Sequence, residues 1–374
     1  MKRLVLAGGG HAHVEVLRRL RAAPLEAAEV VLVSPHADTP YSGMLPGLVA
    51  GHYERRETHI ALPPLVRFPR ARFVAGSVTA IDARANAIVV DGRDGIEYDV
   101  LAVDVGSVPT TANVPGAAEH TLGVKPVDAF LVRFAALVEA AKARSLRRVA
   151  VVGGGAAGVE MLLAMQHRLA YDGVRDLAWT LLTDTPVLLP THAPRVRRIF
   201  ADVLAARGVD VRLAWRASRV LRGRVEGGAT SREAIEADAV VWATGAGAPA
   251  LLATSGLALD AAGFVTVGET LQSTSHPSVF AAGDVATMVG HPRPRSGVYA
   301  VRQGPPLAHN LRAAMTGESL VRYVPQRRAL AIITTGGRYA VATRGDWAIA
   351  GGWVWRWKDG IDRRFMARYA SMSD

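Results

Sequence analysis

Two glycine-rich turns, about 145 residues apart, constrain this chain more than any other feature. Each follows a short apolar run and precedes a stretch with helical apolar spacing. The first reads Leu4-Val5-Leu6-Ala7-Gly8-Gly9-Gly10-His11-Ala12-His13. The second reads Val149-Ala150-Val151-Val152-Gly153-Gly154-Gly155-Ala156-Ala157-Gly158-Val159-Glu160. A strand that turns through glycines into a helix gathers backbone N–H groups and the positive helix end at one point, which suits a pyrophosphate. One such turn is common as plain structure. Two imply two dinucleotides held close together, the arrangement of flavin chemistry fed by a nicotinamide.

The first turn follows a predicted buried strand, Lys2 to Ala7, and leads into a helix from about Val14 to Leu20. Gly8 would allow the tight turn, and Gly10 the close approach of a pyrophosphate. His13 stands where the third glycine of the pattern falls, so helix and strand must pack differently there. His11 and His13 raise a metal reading, set aside because no carboxylate cluster accompanies them; no metal is expected. A second strand, Glu29 to Val33, ends at Ser34, where an acid for the adenosine ribose usually stands. Val279 to Ala282 reads as another strand, ending in Gly283-Asp284. Its aspartate either caps a helix or, as in the two-dinucleotide flavoproteins this pattern resembles, holds the flavin ribityl chain. Thr274 precedes it at the spacing of those proteins.

The second turn carries the full glycine spacing, with Gly153, Gly155 and Gly158 after four apolar residues and Ala156 opening the helix. The strand Ala178 to Leu182 follows, then Thr183 and Asp184. Asp184 stands one residue beyond the usual ribose acid and would favour NADH. Arg195, Arg197 and Arg198 would instead meet a 2′-phosphate and favour NADPH. Ala239 to Ala243 reads as a strand into the small turn Thr244-Gly245. The chain then returns towards Gly283-Asp284, so the second unit is inserted in the first.

The expected fold class is α/β, with two Rossmann-like dinucleotide-binding domains. An FAD-binding domain comprises residues 1–112 and 246–322, an inserted NAD(P)H-binding domain 113–245, and a small C-terminal α+β unit 323–374. A length of 374 residues allows that many cores. No apolar run approaches the roughly 20 residues that span a bilayer. The first strand begins at once, so a cytoplasmic chain without a secretory leader is expected. A net charge of +11 favours anionic partners such as acidic lipid headgroups or an acidic electron carrier. The arginines are scattered and no nucleic-acid motif is present, so no nucleic-acid partner is expected. The chain has no cysteine. Thiol–disulfide exchange, persulfide capture and iron–sulfur ligation all need one, so a disulfide reductase is not expected.

With these motifs in hand, the chain resembles the pyridine nucleotide–disulfide oxidoreductase superfamily, and within it the type II NADH dehydrogenases. Thr39-Pro40-Tyr41-Ser42-Gly43-Met44-Leu45-Pro46-Gly47 occupies the place of the family's flavin-facing loop. The resemblance implies that Tyr41, Met44 and Pro46 line the flavin. Gly123-Val124-Lys125-Pro126 resembles the family's lysine-bearing start of the nicotinamide domain, implying that Lys125 contacts flavin or closes the hinge. Ala300-Val301-Arg302-Gln303-Gly304 with Asn310 resembles the helix whose glutamine lies near the quinone. Glu160 stands where relatives place a glutamate beside flavin and nicotinamide, which implies an orienting role; its structural alternative is a carboxylate that favours the helix start. Departures are Tyr299 for one of the family's paired glutamines, and Val103-Asp104-Val105-Gly106 in place of an Ala-Thr-Gly turn. The pairing of Gly-Gly-Gly-His-Ala-His with Pro-Tyr-Ser-Gly-Met-Leu-Pro-Gly is similar to a subgroup also found fused to selenide, water dikinase; no kinase segment is expected within these residues.

The implied activity is hydride transfer from NADH or NADPH to FAD, with a quinone-like acceptor. Alternatives are a reductase for a small acidic carrier protein and a low-turnover redox sensor. At the C-terminal end, Ala329 to Ile333 and Tyr339 to Thr343 read as strands, and Trp353, Trp355 and Trp357 as one face of another. Ile361, Phe365, Tyr369 and Met372 recur at helical spacing among Arg363, Arg364 and Arg368. That helix would either dock on an anionic membrane, making the protein peripheral on the inner face of the cell membrane, or cover its own domain. A homodimer is compatible with the sequence.

Overall fold

A computed structural model describes residues 1–93, 95–111, 113–228 and 233–370. The first sheet is five-stranded and parallel, in the order Val279–Ala281, Val100–Val103, Lys2–Ala7, Ala28–Ser34, Ala71–Ala75. Its central strands are apolar on both faces because helices or loops cover both. Leu4, Val5, Leu6, Ala7 and Val31 to Val33 are fully buried. The strand Lys2–Ala7 pairs Leu4 with Val30 on one side and with Val100 on the other. Helix His11–Ala22 lies against helix Gly297–Thr316. Gly304 permits that approach, since a Cβ there would come 2.7 Å from the Glu15 side chain. Asn310, fully buried, ties the end of this helix to Thr270 and Val321.

The second sheet is also parallel, in the order Leu122–Gly123, Ala239–Trp242, Arg148–Val152, Ala178–Leu182, Val209–Arg212. All its strands lie between Val103 and Val279 in the chain. The edge strand Val279–Ala281 then rejoins the first sheet beside Val100–Val103. The expected class, two parallel-sheet Rossmann-like cores with the second interrupting the first, is the observed one.

The C-terminal segment corrects one expectation. Three antiparallel strands, Ala331–Thr334, Ala340–Arg344 and Trp347–Gly351, form its sheet. The tryptophans lie beyond it, on helix Gly352–Ala370. Alternation by two fits a strand face, but on this helix positions four apart share a face. Trp355 is buried, while Trp353, Trp357 and Ile361 stand 52%, 39% and 37% exposed along one outer stripe. Phe365 and Tyr369, expected on the same stripe as Ile361, are buried in the core of the first domain. Met372 lies outside the described residues. No helix among the described residues is long and apolar enough to cross a membrane.

Candidate functional site: a dinucleotide cleft between the two domains

The glycines of the second turn divide by role. Gly153 has φ +131°, and its Cβ position lies 2.4 Å from the Ala243 carbonyl oxygen, so only glycine lets the two strand ends touch. A Cβ on Gly158 would fall 1.9 Å from the Gly153 oxygen. Gly153 thus serves the contact between strand ends, and Gly158 the packing of helix Ala156–Tyr171 on its strand. Gly155 is different. Nothing lies within 4 Å of its Cβ position, and it opens onto a cavity of about 590 Å3. The helix has no side-chain cap, so its first N–H groups and positive dipole end face the space where Ala156 and Ala157 line it.

Asp184, Thr244 and Gly245 line this cavity. Thr183, just before Asp184, is buried against Gly154 and shares a hydrogen bond with Thr185. Asp184, one residue later, is exposed and lines the cavity. Thr244 is held by the Thr110 hydroxyl at 2.9 Å. Of the arginines expected here, Arg197 donates to the carbonyls of His192 and Pro190, and Arg195 and Arg198 line no part of the cavity. The arginines that do are Arg216 and Arg295, which sequence spacing missed because they follow different strands.

The cavity reaches the first domain at Asp284. Lys125 Nζ donates to Asp284 Oδ2 at 2.7 Å and to Ser107 Oγ at 3.0 Å, and that hydroxyl donates to the same carboxylate at 3.2 Å. Lys125 is 43% exposed, so the pair adds at most about 1 kcal/mol of stability. Its consequence is geometric, because it fixes Asp284 at the seam. Thr274 does not join this group; its hydroxyl bonds that of Thr266. A second cavity of about 240 Å3 also reaches Asp284 and is lined by Gly283, Tyr299, Gln303, Arg293 and Arg295. Gln303 Oε1 accepts the Gly283 N–H at 2.7 Å. Arg295, also missed, stacks 3.2 Å from the centroid of the Phe264 ring, and burial lowers its pKa.

The first turn is closed where the second is open. Gly8 has φ +97°, and its Cβ position lies 2.5 Å from the Asp104 carbonyl oxygen. A Cβ on Gly10 would fall 2.2 Å from the Asp104 carboxyl carbon. That carboxylate accepts the N–H groups of Ala12 and His13 at the start of helix His11–Ala22. His13 takes the third-glycine position by burying its ring, with Nδ1 2.7 Å from the Gly8 oxygen. His11 lies beside Tyr41 and Phe365, and its Nε2 is buried with no partner. Burial drives both histidine pKa values down to about 4, leaving the rings neutral. Ser34 is buried beside Gly9.

The loop and Glu160 lie elsewhere. Tyr41 stacks on Phe365 at 4.3 Å, while Met44 is buried with Tyr53 and Trp355 under the C-terminal unit, and Pro46 is buried in the following helical turn. None of the three lines either cavity. Glu160 accepts the N–H and hydroxyl of Thr334 at 2.6 and 3.0 Å, and burial raises its pKa. It joins the nucleotide-domain helix to the C-terminal sheet rather than lining the cavity. A further trio, Asp38, His59 and Asp128, brings ligand-type atoms within 4.8 Å of one another; Arg55 bonds both carboxylates there.

A flavin dinucleotide would need a helix end for its pyrophosphate, an acid at a strand end for its ribityl chain, and a partner for buried polar atoms nearby. The Gly8–Gly10 turn, Asp284 and the orphaned His11 Nε2 meet those needs. The residues fit the group, with Asp104 as the one anion already at the helix end.

The sequence pattern of the pyridine nucleotide-disulphide oxidoreductase family matches residues 2–304. An NADH dehydrogenase-like protein of Bacillus subtilis (strain 168) is 26% identical over 345 residues, covering 91% of each chain. A type II NADH:quinone oxidoreductase of Staphylococcus epidermidis is 24% identical over 343 residues, 85% of this chain and 84% of its own. The sulfide:quinone oxidoreductase of Aquifex aeolicus shares the fold, with a TM-score of 0.84 at 19% identity, over 100% of this chain and 92% of that one.

Proposed function

The chain belongs to the pyridine nucleotide-disulphide oxidoreductase family and is an oxidoreductase of the NADH-dehydrogenase kind; from that premise we propose that it is an FAD-dependent NAD(P)H dehydrogenase that passes electrons to a quinone-like acceptor. One observation carries this reading. A single cavity runs from the second glycine turn to Asp284 of the first domain, and a second cavity shares Asp284 and Arg295 with it. A donor and an acceptor can thus meet at one seam from two adjoining cavities.

Gly155, Ala156 and Ala157 present the helix end to the pyrophosphate of the nicotinamide dinucleotide. Asp184 accepts from its ribose hydroxyls and favours NADH over the phosphorylated form. Lys125 and Ser107 hold Asp284 in place for the ribityl chain. Bound flavin supplies a two-electron carrier between the nicotinamide and the acceptor. The acceptor side belongs to Tyr299 and Gln303. The absence of cysteine supports a route without a thiol intermediate.

Glu160 is a positioning residue in this scheme, since it acts through Thr334. Glu160→Gln should slow flavin reduction by NADH about tenfold through small misplacement of the cleft, with flavin content intact. Reduction at the wild-type rate would remove that role. The exposed stripe Trp353, Trp357, Ile361 supports peripheral attachment to an anionic membrane, with Arg356 and Arg364 exposed on the same helix.

The charge of +11 also favours an acidic carrier protein as acceptor. Steady-state NADH oxidation with a short-chain quinone and with an acidic iron–sulfur protein tests the choice. The quinone should be reduced at a rate nearly independent of salt. Turnover only with the protein acceptor, falling steeply as salt rises, would replace the quinone reading.

A further inference from the structure

Asp104 stands in the first dinucleotide turn in a way the second turn has no counterpart for. Its carboxylate is buried, and its Oδ2 takes the N–H groups of Ala12 and His13 at 2.9 and 3.3 Å. Those groups are what a glycine turn otherwise offers a pyrophosphate. The Cβ positions of Gly10 and Gly283 fall 2.2 and 2.5 Å from Asp104 carboxyl atoms, so the carboxylate sits between the two glycine turns of the first domain. At the second turn, by contrast, helix Ala156–Tyr171 starts uncapped beside an open Gly155.

Two anions cannot share one buried helix end at low cost, because like charges in a desolvated site repel strongly. We propose that Asp104 gates the first dinucleotide site by its proton: the ionised carboxylate closes the helix end, and FAD loads with uptake of one solvent proton onto Asp104. The inference rests on the flavin reading above.

The surroundings support a single titrating gate. His11 and His13, on the helix that Asp104 caps, are neutral, with pKa values near 4. Asp284, on the turn behind, repels a charge on Asp104 and is itself paired with Lys125. Gln303, from helix Gly297–Thr316, is uncharged and bonds Gly283. Burial first, then Asp284, push the Asp104 pKa up to about 7, against the opposing hydrogen bonds from His13 and Ala12. The sign follows. Binding that favours the protonated form is tightest below that value and weakens as pH rises through it, towards about tenfold per unit.

The test is FAD binding to full-length protein stripped of flavin and reloaded, followed by flavin fluorescence quenching from pH 6 to 9. The wild type should lose affinity above neutrality by a factor approaching tenfold per unit. Asp104→Asn keeps an acceptor for Ala12 and His13 and should flatten the profile, binding at pH 9 about as tightly as the wild type at pH 6. Calorimetry of the wild type in buffers of different ionisation enthalpy should show roughly one proton taken up at pH 8.5, and this arm does not depend on the variant folding. Flavin binding with a flat wild-type profile and no proton uptake would overturn the gate while leaving the flavin reading intact. No flavin uptake at any pH, by either protein, would overturn both.

Discussion

Gly155→Val should raise the KM for NADH by about 100-fold, roughly 2.8 kcal/mol of lost binding, while the protein keeps its flavin and its melting temperature. The prediction follows from what surrounds the position. Gly155 has φ −78°, which any residue adopts, and open space at its Cβ position. A side chain there leaves the fold intact and stands where the pyrophosphate must approach the helix end. Gly158→Ala is the contrasting control, because its Cβ would strike the Gly153 carbonyl oxygen at 1.9 Å and force helix and strand apart. Steady-state kinetics and a thermal melt separate the two. An unchanged KM in Gly155→Val would mean that the dinucleotide does not use this turn.

Lys358→Met should destabilise the protein by about 3 kcal/mol or more. Lys358 Nζ lies 2.5 Å from Asp362 Oδ2 and 2.5 Å from the Gly43 carbonyl oxygen. The side chains of Lys358 and Asp362 are only 13% and 5% exposed. Removing the ammonium leaves a buried carboxylate without its countercharge and frees the Gly43 loop from the C-terminal helix. The pairing of Lys358→Met with Asp362→Leu should recover at least half of the loss, since replacing both charges removes the unpaired ion. Urea denaturation of the single and double variants measures this. A single-variant loss below about 1 kcal/mol would show that the contact is solvated in solution.

The two glycine turns were legible in the sequence because glycine spacing records backbone geometry directly. Gly8 and Gly153 both adopt the positive φ that such turns need. The strands around them were legible too, since Leu4 to Ala7 and Val149 to Val152 are buried on both faces and carry uniform apolar runs. The division of labour among the glycines was not. Gly155 and Gly158 look equivalent in a motif, and only the neighbours of their Cβ positions separate binding from packing.

Residues that act through distant partners were harder to read. Asp104 registered as a departure from a motif, but its capping of a helix more than 80 positions earlier exists only in three dimensions. The tryptophan series misled because alternation by two satisfies a strand pattern whatever the backbone does, and the glycines at 351 and 352 mark where sheet gives way to helix. Phe365 and Tyr369 had the spacing of a helix face that either meets a membrane or covers its own domain, and they are packed into the first-domain core beside Tyr41. Glu160 was placed near the cleft by resemblance, and the hydrogen bonds to Thr334 give it a partner that no local spacing could indicate.

The most direct measurement is the visible spectrum of the purified protein under anaerobic conditions, before and after addition of NADH. The account predicts a flavin spectrum that bleaches within seconds, more readily with NADH than with NADPH, because Asp184 lines the cavity and is proposed to accept from the ribose hydroxyls. A flavin spectrum that neither nucleotide bleaches would contradict a joined donor and acceptor seam at Asp284.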